Sequence, residues 1–462
     1  MVGVNEVTPL ILNIIFAIAI CLLANNLLRR HQLAPGWILV VLSSTVFFTP
    51  LVSLVFCGME HTLHLLITIA IVHCAVEVLL DEKAAIQERT WLLVLAPLMT
   101  MCRYEGLLLL FVLCCFFAAD RRFSEALVLG GVGLLPLVVY GAWSTWKGWY
   151  PIPNSVLLKI SMPDVSSLGD FLNSFGQRFL MAHHLVALIN LSLFMYTFRS
   201  DRWSMVGRKA QVMTGIFLAA VVLHMGFCPL GWFYRYEAYL VGLGIFVVGT
   251  ELGRYFPENL SMGTQKAMIP RYVAATLLTA VLIVPLVHRG WRSLMAIPRA
   301  TRNIYEQQYQ MGLFLKRFYQ GQAVVVNDIG AVNYLANIRT LDLWGLGSLE
   351  TAAVAGHFHD DTERIRALAA ERKVTIAIVY DTEYQRWFTG SRRIPSQWIR
   401  VGQWKIYDDV VRGDDAVSFY AADLSGASAL VKNLRAFSNR LPKEVEHTEG
   451  LPEDNHGLRK YS

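Results

Sequence analysis

Apolar residues are not spread evenly along this chain. They fill residues 9–289 in ten runs and then give way to mixed, ordinary sequence. The runs are 9–28, 37–57, 61–80, 91–102, 106–119, 125–145, 184–198, 210–230, 238–250 and 272–288. A hydrocarbon core about 30 Å thick needs roughly 20 apolar residues per helix, so the longer runs have membrane-spanning length. The pair 91–102 and 106–119 is short and meets at Arg103, Tyr104 and Glu105, which predicts a hairpin with a polar tip. Composition agrees. Hydrophobic residues make up 55% of the 462 and charged residues only 16%, where a soluble protein carries about 25% charge. The expected fold class is an α-helical polytopic membrane domain, residues 1–289, followed by a small C-terminal α/β extracytoplasmic domain, 290–440. A polar tail, 441–462, is expected to be disordered.

Charge gives the orientation. If the loops after the first, third, fifth, seventh and ninth spans face the cytoplasm, they hold thirteen Lys and Arg residues. The other side, before residue 289, holds five: Arg103, Lys147, Lys159, Arg178 and Arg235. Cytoplasmic loops carry the excess of positive charge, so both the N-terminus and the C-terminal domain are expected outside. Residues 1–8 have no positive n-region and no small-residue cleavage site follows the first run, so a cleavable signal peptide is not expected. The seven cysteines all precede residue 229 in or beside apolar runs, a pattern of buried small hydrophobes with no disulfide or metal spacing. The formal net charge of +6 is scattered, with no basic run that would mark a nucleic-acid partner.

The C-terminal third alternates in pattern. VVVN at 324–327, TLDL at 340–343, VTIAIVY at 374–380, WKIYD at 404–408 and VSFYAAD at 417–423 read as strands, with a turn-helix at 328–338 and helical sequence at 360–372. Alternation of this kind builds an α/β domain.

With this topology the polar motifs collect on the outer side: Gly58-Met59-Glu60-His61, Arg103-Tyr104-Glu105-Gly106, Trp149 to Asn154 with Lys159, and Gly231 to Glu237. Ionisable residues at helix ends beside a bilayer are costly and are functional candidates. Guanidinium and ammonium groups neutralise a phosphate and stabilise it as a leaving group. A carboxylate accepts the proton of an attacking hydroxyl. Trp and Tyr stack on sugar rings and also anchor helices at the interface. A structural role competes at each position. Glu60 suits a helix N-terminus, Arg103 and Glu105 suit mutual pairing at a turn, and His61 with His64 lacks a third metal ligand.

The order of these motifs resembles the C-type superfamily of membrane glycosyltransferases. The residues that carry it are Gly58-Met59-Glu60 before a span, Arg103-x-Glu105-Gly106 at a short hairpin, Pro151-x-Pro153-Asn154-Ser155 with Lys159 after it, and a late Arg235-Tyr236. The nearest group is similar to the bacterial polyprenyl-phosphate-sugar-dependent enzymes, including the mycobacterial terminal arabinofuranosyltransferases. Asn327-Asp328-Ile329-Gly330-Ala331 and Leu341 to Leu346 resemble the start of that group's extracytoplasmic domain.

The resemblance implies a multi-pass protein of the bacterial inner membrane that takes a polyprenyl-phosphate sugar donor. It would transfer the sugar, with inversion, to an envelope glycan or lipid acceptor. Glu60 and Glu105 become the expected catalytic carboxylates. Arg103, Tyr150, Asn154, Lys159, Arg235, Tyr236 and Asp328 become the expected substrate-binding residues. The cofactor stays unknown; a divalent metal suits such a donor, and no ligand set for one is identified. One departure stands out. The superfamily carries an acidic motif in its first outer loop, and no aspartate precedes Asp81 here. A truncated N-terminus, a base moved to Glu60 or Glu105, and a non-competent chain are the three expectations that follow. A lipid or glycan transporter or flippase and a non-catalytic envelope-assembly protein are the alternatives.

Overall fold

The computed structural model describes residues 5–81, 86–157, 168–198, 204–255, 269–351, 362–380, 394–411 and 413–451. The chain divides into two compact units, residues 1–152 with 160–295, and residues 153–159 with 296–462.

The first unit is helical. Its elements are α1 (Thr8–Arg30), α2 (Pro35–Phe48), α3 (Leu51–Cys57), α4 (His61–Leu80), α5 (Ile86–Cys102), α6 (Gly106–Ala119) and α7 (Phe123–Trp146). Past the single-turn α8 (Asn154–Leu157), which belongs to the second unit, come α9 (Leu168–Met181), α10 (His183–Phe198), α11 (Met205–Phe227), α12 (Ala238–Tyr255) and α13 (Ile269–Ile304). Among the described residues five helical stretches are long and apolar enough to cross a membrane; they lie in α1, α4, α7, α11 and from α13 onward. Two bent pairs, α2 with α3 at 43° and α9 with α10 at 89°, bring the number to seven when each counts as one span.

The run expected at 37–57 is broken at Thr49-Pro50. Proline has no N–H to donate to the preceding turn, and while Thr49 keeps helical angles, Pro50 leaves them at ψ +91°, so the helix breaks there. The run expected at 272–288 continues as helix to Ile304. The amphipathic α9, whose Phe175 and Phe179 pack on the bundle, falls where no span is expected.

At the centre of the bundle stands α12, buried from Ala238 to Leu252. A helix apolar on all sides has to be enclosed by others. Its glycines allow this. A Cβ on Gly242 would stand 2.5 Å from Leu65 Cδ1 of α4, and one on Gly249 would stand 2.6 Å from Val41 Cγ2 of α2. Small residues let helices approach where lipid supplies no hydrophobic drive between them. Trp37 Nε1 then donates to the Gly249 carbonyl at 2.7 Å. One end of the bundle is tied by Lys209 to Glu77 at 2.6 Å, Arg89 to Glu125 at 2.8 Å and Arg254 to His31 at 3.0 Å. The loops that hold Glu60, Arg103 and Arg235 lie at the other end.

The second unit opens with a π-helical turn, Tyr305–Tyr309, and α14 (Gln310–Phe318). Then follow β1 (Ala323–Val326), α15 (Gly330–Leu335), β2 (Arg339–Asp342), α16 (Thr362–Glu371), β3 (Val374–Val379), β4 (Ile399–Lys405), β5 (Ala416–Ala421), α17 (Leu424–Ser438) and β6 (Glu446–Glu449). They form one sheet in the order β2-β1-β3-β5-β4-β6. β1 is parallel to both β2 and β3, while β5 and β6 run antiparallel to their neighbours.

All four β1 residues are buried, as expected of a parallel strand covered on both faces. One face packs Phe314, Trp404, Phe419 and Phe437, with Trp404 stacked on Phe437 at 5.7 Å. The other face packs Val325, Leu341, Ile365 and Val379. The strand expected at 404–408 begins at Ile399 instead. The disorder expected over 441–462 does not hold for Glu446–Glu449, which pair with β4. Backbone pairing with an edge strand needs no apolar side chains, so the polar sequence of β6 hides it.

Candidate functional site

Three loops of the helical unit build a charged cluster. Gly58 ends α3 at φ +66°, a left-handed cap that glycine adopts without penalty. The chain then delivers Met59 and Glu60 to the start of α4. Glu60 occupies the N-cap position but makes no capping hydrogen bond; its carboxylate accepts from Arg103 Nη1. Glu105 stands in the same way before α6 and also turns to Arg103. It accepts from Nη2 at 2.7 Å and from Nε at 3.2 Å, a two-pronged ion pair. Burial disfavours the Glu105 charge, but Arg103 outweighs burial and holds this carboxyl below its usual range.

Arg103 Nη1 also faces His61 Nε2 at 3.2 Å. The Tyr236 ring lies 5.7 Å from the Arg103 guanidinium and 5.3 Å from that of Arg235, within cation–π reach of both. All three guanidinium nitrogens of Arg103 are therefore committed to protein groups. Arg235 differs. Its Nη1 donates to Met59 Sδ at 3.0 Å, an uncharged partner. Its Nε is buried without a partner, and among the described residues it makes no ion pair. A half-buried cation beside soft, neutral groups can receive an anion.

A second network lies beside the first. Arg289 Nη1 donates to Glu237 Oε1 at 2.5 Å, and these side chains are 4% and 1% exposed. His184 Nε2 stands 3.3 Å from the same oxygen. Burial opposes the Glu237 charge, yet Arg289 and His184 hold its carboxyl far below the usual range. The pair clamps an unusual turn. Gly231, Trp232, Phe233 and Tyr234 all have positive φ, from +42° to +79°. Left-handed backbone costs an L-residue about 1–2 kcal/mol. Glu237 Oε2 accepts from Gly231 N at 2.9 Å, and Arg289 Nη2 donates to the Tyr234 carbonyl at 2.5 Å, so the ion pair holds both ends. The turn leads directly into Arg235 and Tyr236. Deeper in the bundle, His64 and His224 pack against Tyr239 at ring-centre distances of 4.3 and 5.5 Å.

Of the expected site residues, Glu60, Arg103, Glu105, Arg235 and Tyr236 meet in one cluster. Tyr150 lies past the end of α7, where its carbonyl accepts from Ser144 Oγ at 2.6 Å. Asn154 belongs to the second unit and donates to the Gly345 carbonyl at 3.2 Å. Asp328 also belongs to that unit, after β1, and accepts from Gly330 N at 3.2 Å. Lys159 lies outside the described residues. Among the described residues no group of three or more His, Cys, Asp or Glu is placed to hold a metal ion.

His61, His184, Glu237 and Arg289 join the networks without having been expected as site residues. Spacing on α4 puts His61 beside Glu60, and Glu237 closes the Gly231–Glu237 motif. Arg289, at the edge of an apolar run, gives no signal of its own.

The model of a family described as "Domain of unknown function (DUF8728)" matches residues 302–420, from the last turn of α13 to β5. Comparison with curated proteins gives no match.

Proposed function

We propose that this chain is a multi-pass membrane glycosyltransferase of the C-type superfamily. It would move a sugar from a polyprenyl-phosphate donor to a cell-envelope glycan or lipid on the outer side of the bacterial inner membrane. The observation that carries this reading is the meeting of Glu60, Arg103, Glu105, Arg235 and Tyr236 at one end of the helical unit. The excess of Lys and Arg in the loops assigned to the opposite end supports an outward-facing cluster and an extracytoplasmic C-terminal domain.

The roles follow from the partners each group already has. Arg235, without a countercharge, receives the donor phosphate and stabilises it as the leaving group. Arg103 is a positioning residue, because its donors fix the two carboxylates. Glu60 is the better base. Its side chain is 37% exposed against 16% for Glu105, and Glu105 spends both oxygens on Arg103. In the reaction the acceptor hydroxyl oxygen bonds the anomeric carbon, the bond from that carbon to the phosphate oxygen breaks, and the hydroxyl proton passes to Glu60.

A second reading, a non-catalytic envelope-assembly protein, is favoured by one observation: both carboxylates are already ion-paired to Arg103. The two separate in membranes given a labelled polyprenyl-phosphate sugar and envelope acceptor. Transfer that Glu60→Gln abolishes supports the enzyme. Acceptor binding with no turnover supports the second reading, and movement of labelled lipid across liposomes without sugar transfer supports a flippase.

A further inference from the structure

Of the five helical stretches of spanning length, α7 is the least buried. Between Glu125 and Lys147 it holds 21 residues and no charge. At 1.5 Å per residue that is about 32 Å of helix, a match to a hydrocarbon core of about 30 Å. One row of positions runs its length at spacings of three and four: Leu127, Gly131, Leu135, Val138, Ala142 and Trp146. All six are exposed. Residues so spaced share one helix face. This face is apolar from end to end and as long as the hydrocarbon core is thick, so lipid is what covers it. It finishes on Trp146, which is 75% exposed.

The chain then folds back on the helix. Gly148, at φ +77°, takes the left-handed conformation that closes a helix. Trp149 N donates to the Ser144 carbonyl at 2.9 Å. Gly141 admits the Pro151 carbonyl, whose oxygen would stand 3.1 Å from an added Cβ. This turn sets Trp149 edge-on to Trp143, with ring centres 5.4 Å apart and planes at 84°. Lys147 Nζ lies 4.4 Å from the centre of the Trp146 ring. Among the described residues no carboxylate pairs with Lys147. Three indoles and an ammonium group therefore stand one hydrocarbon thickness from Arg122 and Glu125, which pair at the other end of the helix. Indole favours the layer between acyl chains and headgroups, where its ring is dry and its N–H is wet. A lysine there lays its stem on apolar surface and carries its charge to the phosphates.

We propose that the C-terminal end of α7 binds an anionic phospholipid, with Trp143, Trp146 and Trp149 at the level of its glycerol and the Lys147 ammonium paired to its phosphate. The site does not rest on the transferase reading. The test places the full chain in phosphatidylcholine vesicles with brominated lipid and reads tryptophan fluorescence. The Trp146 signal is the difference between a chain and the same chain carrying Trp146→Phe. Bromine near the carbonyl end of the acyl chain quenches that signal more than bromine near the methyl end. Brominated phosphatidylglycerol quenches it with an affinity about fivefold above that of brominated phosphatidylcholine, the weight of one cation beside an anionic surface. Lys147→Gln removes this preference and Lys147→Arg keeps it; both change an exposed residue just past the helix. The proposal is overturned if the Trp146 signal is not quenched at all, the result expected when a second copy of the chain or a glycan covers the ring. It is also overturned if the deepest bromine quenches most, or if Lys147→Gln retains the preference for phosphatidylglycerol.

Discussion

Arg289→Leu tests whether the buried ion pair, and not local sequence, holds the left-handed turn. Both side chains are nearly inaccessible, at 4% and 1% exposure, so solvent screening offers little relief. Removing one partner of a buried pair costs about 3–5 kcal/mol, because the remaining charge is left uncompensated. The Tyr234 carbonyl also loses its donor. In the double variant Arg289→Leu/Glu237→Leu no charge is orphaned, and neither Tyr234 O nor Gly231 N is held. Trp232, Phe233 and Tyr234 are then free to leave the left-handed region, which recovers about 1–2 kcal/mol for each residue that does. The double variant is therefore predicted to be more stable than Arg289→Leu by about 2 kcal/mol or more, a strong coupling for groups in contact. Reversible unfolding in mixed micelles with increasing SDS, followed by circular dichroism, measures all four species. Additive losses, or a cost of Arg289→Leu below about 1 kcal/mol, would refute the clamp.

Three further outcomes follow from the packing and electrostatics. Gly290→Ala destabilises the bundle more than Gly242→Ala: the new Cβ would stand 2.5 Å from the Phe47 backbone oxygen in one case and 2.5 Å from the Leu65 methyl in the other, and only a side chain can yield. Overpacking costs about 1–3 kcal/mol, so a ranked pair of melting curves decides it. Trp404→Ala removes a side chain 2% exposed among Phe314, Phe419 and Phe437 and costs about 3–5 kcal/mol by chemical unfolding of the full chain. Burial raises the Asp328 carboxyl above its usual range, so the folded state holds this proton more tightly than the unfolded one. Stability of the second unit thus falls as pH rises from about 4, the unfolded value, through the raised one. Asp328→Asn makes that fall shallower in a pH series of denaturant midpoints.

The spans of α1, α4 and α7 are legible because an unbroken apolar run of that length has few other uses. The break between α2 and α3 was also available, in Pro50. The embedding of α12 was not, since its sequence looks like any short span and only the fit of Gly242 and Gly249 against Leu65 and Val41 reveals it. In the second unit the apolar runs of β1, β3 and β5 announce themselves, while β6 is polar and exists only through its ladder with β4. The charged cluster is legible as a set of motifs at helix ends. Its pairing is not, because Glu60 and Arg103 lie 43 residues apart. Arg289 stays hidden for the same reason: sequence shows an arginine after an apolar run, and only folding brings Glu237 and the Tyr234 carbonyl to it.

The central claim is that the cluster around Arg103 performs glycosyl transfer. Membranes containing the full chain, an envelope acceptor and a radiolabelled polyprenyl-phosphate sugar measure it directly. The account predicts transfer by the unaltered chain and a loss of at least about a hundredfold in Arg103→Ala and in Glu60→Gln, the scale on which positioned carboxylates and electrostatic groups act. Full transfer by both variants would contradict it.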